Sequence, residues 1–498
     1  MKHIRKILIA NRGEIAVRVI RTARQMGIGT ISVYSDADVD ALHTRFADEA
    51  FYAGSSSAKK SYLHAEKIIA IAKKAGADAI HPGYGFLSEN AQFAQMVEEE
   101  GLIFIGPRSD TVSLMGNKLK AKETVEAYGV PIIPGNIKPI SGISQAKEMA
   151  NEAGYPIMVK ANAGGGGKGM RIVYHESDLE VEINMATSEA GAAFGDNTVF
   201  IEKYIESPRH IEFQVLGDQH GNFVHLFERE CSIQRRHQKV LEESPSPVLD
   251  PKLRAEMGDA ALKVAKSCNY TGAGTVEFIL DKNKNFYFLE MNTRLQVEHP
   301  VTEMITGFDL VEEQIRIAEG HKLSFKQHEI TIFGHAIEAR IYAEDPENNF
   351  LPSTGKLTTY LPPSGPGIRV DNGYLEQMTV PIHYDPMLAK VIAHGSTREK
   401  ALTRLSQALS EFHISGVTTS IPFCRFVIDH EKFKSGDFTT NFITEHHHPD
   451  NEGTPIYDEK EEKIAAALAG FIYSNTKAPS PVNDNGILKS KWKSNRKL

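Results

Sequence analysis

Cysteine is scarce in this chain: Cys231, Cys268 and Cys424 are its only three, far apart and in no CxxC pair. That argues against a disulfide framework or a structural zinc site and fits a reducing cytoplasm. Tryptophan is scarcer, with Trp492 alone. No stretch has the length and apolarity of a transmembrane helix, so no membrane span is expected. The start, Met1-Lys-His-Ile-Arg-Lys-Ile-Leu-Ile-Ala10, has basic residues before an apolar run. The run is too short for a secretory signal and reads as a first buried strand. Positive charge is not in surplus either. The net charge is -8, which gives no reason to expect a nucleic acid or membrane-surface partner. Two phosphate-binding fingerprints are missing. Asn11-Arg-Gly-Glu14 follows the first strand with a single glycine, so there is no GxGxxG. Lys168 in the glycine-rich run is followed by Gly169 rather than Ser or Thr, so there is no P-loop.

What remains is an ordinary globular composition, 41% hydrophobic and 24% charged over 498 residues. That length suggests about three domains, and no internal repeat is evident. The first hundred or so residues alternate strand and helix. Strands are expected at Lys6–Ala10, Thr30–Tyr34, Ala79–His81 and Ile103–Ile105, and helices at Glu14–Met26, Lys67–Ala75 and Ala91–Glu100. This is the pattern of a doubly wound parallel α/β unit. His81-Pro-Gly-Tyr-Gly-Phe86 is a strand-to-helix crossing of the kind that lines ligand sites, and Tyr84 is a candidate there.

A helix follows near Met115, carrying Lys118, Lys120 and Lys122, and a second unit begins near Val130. Its strands are expected at Tyr155–Lys160, Met170–Tyr174, Val199–Tyr204, Glu212–Leu216, Phe223–Glu228, Thr275–Leu280 and Asn285–Asn292. A third block runs from about Gly334 to His448 and opens with the strand His335–Ala343. In the last fifty residues Ile464, Leu468, Phe471 and Ile472 mark one face of a helix. A polar stretch and a basic tail follow, read as an appended docking or linker segment. His446-His-His448 is expected to be a surface run rather than a metal site.

Three segments carry chemistry. In Phe286–Asn292, alternation puts Phe286, Phe288, Glu290 and Asn292 on one face. Arg294, Gln296 and Glu298 continue every second residue. Carboxylate and amide oxygens suit a hard cation such as magnesium, and the guanidinium suits an anionic substrate. The five-residue turn Asp281–Asn285 makes this strand the partner of Thr275–Leu280. We expect a register with Glu277 and Glu290 on one face, bridged by Mg2+. The second segment is Ala161-Asn-Ala-Gly-Gly-Gly-Gly-Lys-Gly169, whose bare backbone N–H groups can fold over a triphosphate between Lys160 and Lys168. The third, Glu228–Lys239, gathers Arg229, Arg235, Arg236, His237 and Lys239 with Gln234, a set suited to phosphate or bicarbonate. Arg340 alternates with Ile337, Ala339 and Ile341 and is expected to project into a cleft.

Together these segments resemble the ATP-grasp superfamily, and within it the biotin carboxylase component of biotin-dependent carboxylases. The motifs are Ile9-Ala-Asn-Arg-Gly-Glu-Ile-Ala16, His81-Pro-Gly-Tyr-Gly-Phe-Leu-Ser-Glu89, Gly164-Gly-Gly-Gly-Lys-Gly-Met170, Arg229–Lys239 and Glu290–Pro300, in that order over about residues 1–447. The resemblance implies a multidomain α/β and α+β fold. Its parts are an N-terminal doubly wound, Rossmann-like domain at 1–115, an ATP-grasp domain at 116–330 with a glycine-rich lid at about 132–204, and a C-terminal mixed α/β domain at 331–447. Residues 448–498 are an addition.

The implied reaction turns ATP, bicarbonate and biotin into ADP, phosphate and carboxybiotin, with Mg2+ or Mn2+. By resemblance Lys118, Lys160, Gly165, Gly166, Gly167, Met170, His210, Gln234 and His237 contact ATP. Glu202 and the backbone of Lys203, Tyr204 and Ile205 hold adenine. Glu277, Glu290 and Asn292 bind the metal. Lys239, Arg294, Gln296 and Val297 hold bicarbonate, and Glu298 is the base. Arg340 stabilises the biotin enolate, with Tyr84 near the biotin. No Ala-Met-Lys-Met attachment motif occurs, so biotin is expected on a separate biotin carboxyl carrier protein, with carboxyltransferase subunits as further partners and a homodimer expected from the family. The rival readings are a different ATP-grasp ligase and a nucleotide-binding protein that serves assembly without catalysis. The Arg294, Gln296 and Glu298 set with Arg340 argues against the first, and Glu298, Lys239 and Arg340 argue against the second.

Overall fold

The computed structural model describes residues 3–136, 138–162, 169–448 and 459–475. The N-terminal sheet is parallel, with Lys6–Ile9 (β1), Gly29–Ser35 (β2), Glu49–Gly54 (β3), Ala79–His81 (β4) and Ile103–Phe104 (β5) in the order β3-β2-β1-β4-β5. The expected strands and helices are present, with ends shifted by a residue or two. Strand β3 was not expected. It is an edge strand whose first residues lie open to solvent, so it lacks the apolar alternation that marks the others. The helix Gly13–Gln25 packs on this sheet through Ile15, Ala16, Val19, Ile20 and Ala23, a 3.6-residue stripe buried to 2% exposure or less. Each large aliphatic side chain so buried contributes about 1.5–3 kcal/mol.

A second sheet of four strands holds Gly135–Asn136 (β6), Ile157–Ala161 (β7), Met170–Val173 (β8) and Val199–Lys203 (β9), in the order β6-β9-β7-β8. The glycine-rich run joins β7 to β8. Its residues 163–168, with the expected ATP contacts Gly165, Gly166 and Gly167, lie outside the described residues.

The largest sheet has eight strands. Arg209–Gly217 (β10), Phe223–Arg235 (β11), Gln238–Ser244 (β12), Gly272–Leu280 (β13), Phe286–Asn292 (β14), His335–Tyr342 (β15), Ile368–Asn372 (β16) and Met387–Gly395 (β17) run in the order β14-β13-β10-β11-β12-β15-β17-β16. The central and C-terminal blocks therefore share one sheet, sewn at β12 and β15. Strand β12 was not expected either. Its charged residues Lys239, Glu242 and Glu243 hide the alternation, and all but Gln238 and Lys239 are buried.

Two local features depart from what the sequence pattern predicts. The first is in the β13–β14 hairpin, where Leu280 pairs Phe286 and Phe278 pairs Phe288, but Glu277 pairs Glu290. Leu289 is an extra residue, a β-bulge, and the side-chain alternation resets across it. Phe288 joins Phe278 in the hydrophobic core, while Glu290 and Asn292 line a cavity with Glu277. The four residues Phe286, Phe288, Glu290 and Asn292 thus do not share a face. Without the bulge Glu290 would fall opposite Val276 and face away from Glu277. The second feature is Glu228–Lys239, which is not one cationic run. Gln234 pairs Lys239 and Arg235 pairs Gln238, so Arg236 and His237 form a two-residue turn. Both have left-handed backbone, φ +49° and +67°, a conformation that Asn-Gly adopts readily and these residues do not.

His446 and His447 are half-buried, not a surface run. The His447 ring lies edge-on to Phe423 with centroids 4.8 Å apart, and His446 packs on Phe442. The helix Glu459–Asn475 forms as expected, within a separate unit spanning Pro449–Leu498. Its Ile464, Leu468 and Phe471 are exposed. Trp492 and the basic tail lie outside the described residues. No described helix is long and apolar enough to cross a membrane.

Candidate active site

A cavity of about 1380 Å³ opens at the sheet ends. It is lined by Tyr84, Lys118, Lys160, Met170, Lys203, Tyr204, Ile205, His210, Gln234, His237, Lys239, Glu277, Glu290, Asn292, Arg294, Gln296, Val297, Glu298 and Arg340. Of the described residues that the resemblance gives a role, only Glu202 is not on the wall, and Arg229 and Arg235 of the cationic segment are off it too. The Glu202 carboxylate is 2% exposed and engaged by Lys122 and by Lys160, the latter at 2.7 Å.

Lys239 sits at the centre. Its ammonium donates to Glu212 at 2.5 Å, Glu298 at 2.7 Å and Glu277 at 2.9 Å. Burial works against its charge, but the three acids overcome that and hold its pKa well above the lysine range. Arg340, projecting from β15, donates to Glu298 at 2.9 Å and lies 2.6 Å from Glu242. It does not pair with Glu338. Glu298 is fully buried at the start of the helix His299–Thr306. Burial alone would raise its pKa, but Lys239, Arg340 and Arg229 hold it well below the carboxylate range.

Arg294 fans across three side chains and the Leu295 carbonyl. It reaches Glu89 at 2.8 Å, Gln296 at 2.8 Å and Asn292 at 3.1 Å. Residues 293–298 are irregular backbone rather than strand, and Arg294 and Lys390 brace them. The Lys390 ammonium, fully buried, donates to the Val297 carbonyl at 2.7 Å. Tyr84 is placed by two backbone turns. Asn11 Nδ2 donates to the carbonyls of Pro82 at 2.8 Å and Tyr84 at 2.7 Å, tying the two N-terminal motifs together. Gly83 permits this approach, because a Cβ there would meet Asn11 at 2.8 Å.

At the other end, His210 Nε2 meets Glu277 at 2.9 Å while its Nδ1 faces Gln234 at 2.7 Å. Burial and the like charge of Lys118 bring Lys160 down to about 7. His237 is lowered by burial and by Lys160. Glu290 has no ion pair among the described residues, and burial and the charge of Glu277 push its pKa up. A buried carboxylate pair of this kind is relieved by a cation. Glu277, Glu290 and the Asn292 amide oxygen are the hard donors that Mg2+ or Mn2+ takes, so the residues fit the metal. Two other ligand groups, His210–Glu212–Glu277 and Glu212–Cys231–Glu298, also bring donor atoms within 4.8 Å of each other. Lys239 already neutralises both.

Glu212 is a site residue that sequence reasoning missed. It bonds Lys239 and the fully buried Arg229, which also reaches Gln214, Thr275 and Thr302. Arg229 therefore braces the sheet and faces no ligand. The signal was there in the pattern: His210, Glu212 and Gln214 alternate with Ile211, Phe213 and Val215 along β10. Glu242 and Lys390, buried charges on β12 and β17, were missed for want of any local pattern.

Three family models cover most of the chain. They are the biotin carboxylase N-terminal domain at 3–112, the carbamoyl-phosphate synthase L chain ATP-binding domain at 117–326, and the biotin carboxylase C-terminal domain at 338–445. Biotin carboxylase 1 of Bacillus subtilis is 55% identical over 441 residues, 88% of this chain and 98% of its own length. The biotin carboxylase of a Nostoc species is 51% identical over 440 residues, again 88% of this chain and 98% of its own length. Among solved structures, the biotin carboxylase domain dimer of Hydrogenobacter thermophilus 2-oxoglutarate carboxylase, in complex with MgADP, ADP and bicarbonate, aligns with TM-score 0.88 and 46% identity. It covers 91% of this chain and 100% of that one. With three consecutive family models, near-full-length relatives and a common fold, this chain belongs to the biotin carboxylase family.

Proposed function

We propose that this chain carboxylates biotin at the expense of ATP, using bicarbonate. The observation that carries the reading is Glu298, held at 2.7 Å by Lys239 and 2.9 Å by Arg340. One carboxylate thus sits between two cations, Lys239 on β12 and Arg340 on β15. Lys118, Lys160, Met170, His210, Gln234 and His237 take the ATP phosphates and ribose end, together with the glycine run Gly165–Gly167. The backbone of Lys203, Tyr204 and Ile205 takes adenine. Glu202, tied to two lysines, acts from behind that wall. Glu277, Glu290 and Asn292 would hold Mg2+ or Mn2+, which supplies charge neutralisation on the transferring phosphoryl group.

Lys239, Arg294, Gln296 and Val297 receive bicarbonate. Before substrate binds, Glu298 is ionised but weakly basic. An anion drawing Lys239 and Arg294 to itself raises the pKa of Glu298 toward that of a working base. Glu298 then takes the bicarbonate proton, the freed oxygen attacks the γ-phosphorus, and ADP leaves. Carboxyphosphate breaks down to CO2 and phosphate. The phosphate removes the ureido N–H proton of biotin, and the resulting enolate, stabilised by Arg340, attacks CO2. The proton on Glu298 is released to solvent as products leave.

We assign the parts at 1–115, 116–330, 331–447 and 448–498 to the N-terminal, ATP-grasp, C-terminal and appended segments. The biotin arrives on a separate carrier protein, carboxyltransferase subunits complete the reaction, and the chain works as a cytoplasmic homodimer. The deciding experiment is bicarbonate-dependent ADP release with and without free biotin. Biotin should stimulate turnover of the wild type, and Glu298→Gln should lose roughly 10²–10⁴-fold. Turnover indifferent to biotin would redirect the search to other carboxylate acceptors.

A further inference from the structure

Two buried acids beside the site have no role in that reaction. Glu242 on β12 and Glu338 on β15 stand directly opposite each other in the ladder. They are 1% and 0% exposed. Like charges directly opposed in a sheet repel, and a buried carboxylate pair carries one proton rather than two charges. Geometry says which acid keeps the charge. Glu242 lies 2.6 Å from the Arg340 Nη2 that also serves Glu298. The oxygens of neither acid accept a hydrogen bond among the described residues, but Glu338 has no ion pair there either, whereas Arg340 offsets part of the burial that pushes Glu242 up to about 7.

Arg340 is therefore held by two carboxylates. One of them, Glu298, changes charge during the proposed reaction. When it takes the bicarbonate proton it ceases to be an anionic partner, at the stage when Arg340 must be in place for the enolate. We propose that Glu242 is the positioning residue for Arg340, keeping the guanidinium in the cleft while Glu298 is protonated. This rests on the reading of Glu298 as the base and Arg340 as the enolate partner. Glu338 completes the device. Burial, with the neighbouring charges of Glu242 and Glu298, outweighs Lys390 and keeps Glu338 in its acid form, so it does not compete for Arg340. The arrangement is rigid because both acids and Arg340 stand on adjacent strands of one ladder rather than on loops.

The test is steady-state kinetics of the full chain with free biotin, on wild type, Glu242→Gln and Glu242→Asp. Glu242→Gln removes the charge and keeps the shape. It should lower kcat for biotin-dependent ADP release roughly 10²-fold, the scale of a misplaced catalytic group, with KM for ATP and for bicarbonate unchanged. Glu242→Asp, which restores the charge on a shorter arm, should recover part of that loss. Three results overturn the proposal while leaving the carboxylase reading intact, each against a biotin-stimulated wild type: full biotin-dependent turnover by Glu242→Gln, a parallel rise in KM for ATP, or no recovery by Glu242→Asp. If Glu242→Gln does not fold, full-rate turnover by Glu242→Asp overturns it equally, because that arm draws Arg340 away. A wild type indifferent to biotin would remove the carboxylase reading and this one with it.

Discussion

At Lys239 one ammonium answers three carboxylates, and that fixes what its loss would do. Lys239→Met leaves Glu212, Glu277 and Glu298 one cationic partner short in a buried cluster, with only Arg229, His210 and Arg340 still paired with them among the described residues. Removing one partner of a buried ion pair costs about 3–5 kcal/mol, so the urea midpoint should fall sharply. Added Mg2+ should restore part of it, because the cation offsets charge on Glu277 that Lys239 no longer neutralises. Residues of this kind were only half legible in the sequence. Arg340 was found because it alternates along a strand, whereas Glu290 and Glu298 were assigned through the family motif, the bulge and the irregular backbone at 293–298 having broken the alternation that first drew attention to them. Glu242 was not, because an acid followed at once by Glu243 and Ser244 looks like a solvated end, and only the position of β12 between β11 and β15 buries it.

Single elements hold the two departures from regular geometry, and each gives an opposed pair of effects. Across the bulge at Leu289, Phe288 is core and Glu290 is cavity. Phe288→Ala should cost about 3–5 kcal/mol. Glu290→Gln should instead raise the melting temperature of the ligand-free protein, since it removes repulsion with Glu277, while abolishing the stabilisation that Mg-ATP confers. Thermal unfolding with and without Mg-ATP checks both. If the strand were regular, the two positions would share a face and the contrast would vanish. At the turn, Arg236 and His237 sit in a backbone conformation that costs of order 1–3 kcal/mol each. The double change Arg236→Asn, His237→Gly should therefore stabilise the fold. It should also raise KM for ATP, because His237 lines the cavity. Periodicity cannot foresee either feature. Alternation is blind to an inserted residue, and Arg-His carries none of the turn chemistry of Asn-Gly.

For the whole molecule, acid sensitivity follows from histidines that folding keeps neutral. His43, His81 and His225 are each lowered to about 4, burial being the leading cause. Their unfolded values lie near 6.5, so unfolding takes up protons between pH 6.5 and 4. The stability they contribute is complete above pH 6.5 and is lost as pH falls through that window, about 2 kcal/mol each at pH 5. The urea midpoint should drop between pH 7.5 and 5, and His43→Gln should show a shallower drop. A midpoint indifferent to pH would contradict the burial of these rings.

The order of strands and helices in the first hundred residues was plain from their alternation. The joining of the second and third blocks into one sheet was not, because a ladder between β12 and β15 leaves no mark on either strand's own pattern. That seam has a geometric consequence. Lys239 rides on β12 and Arg340 on β15, adjacent strands whose backbones run about 4.8 Å apart. In the proposed reaction, the backbones carrying the cation on the bicarbonate side and the cation on the biotin side are thus held one ladder apart. That gauge is built into the scaffold before any substrate arrives.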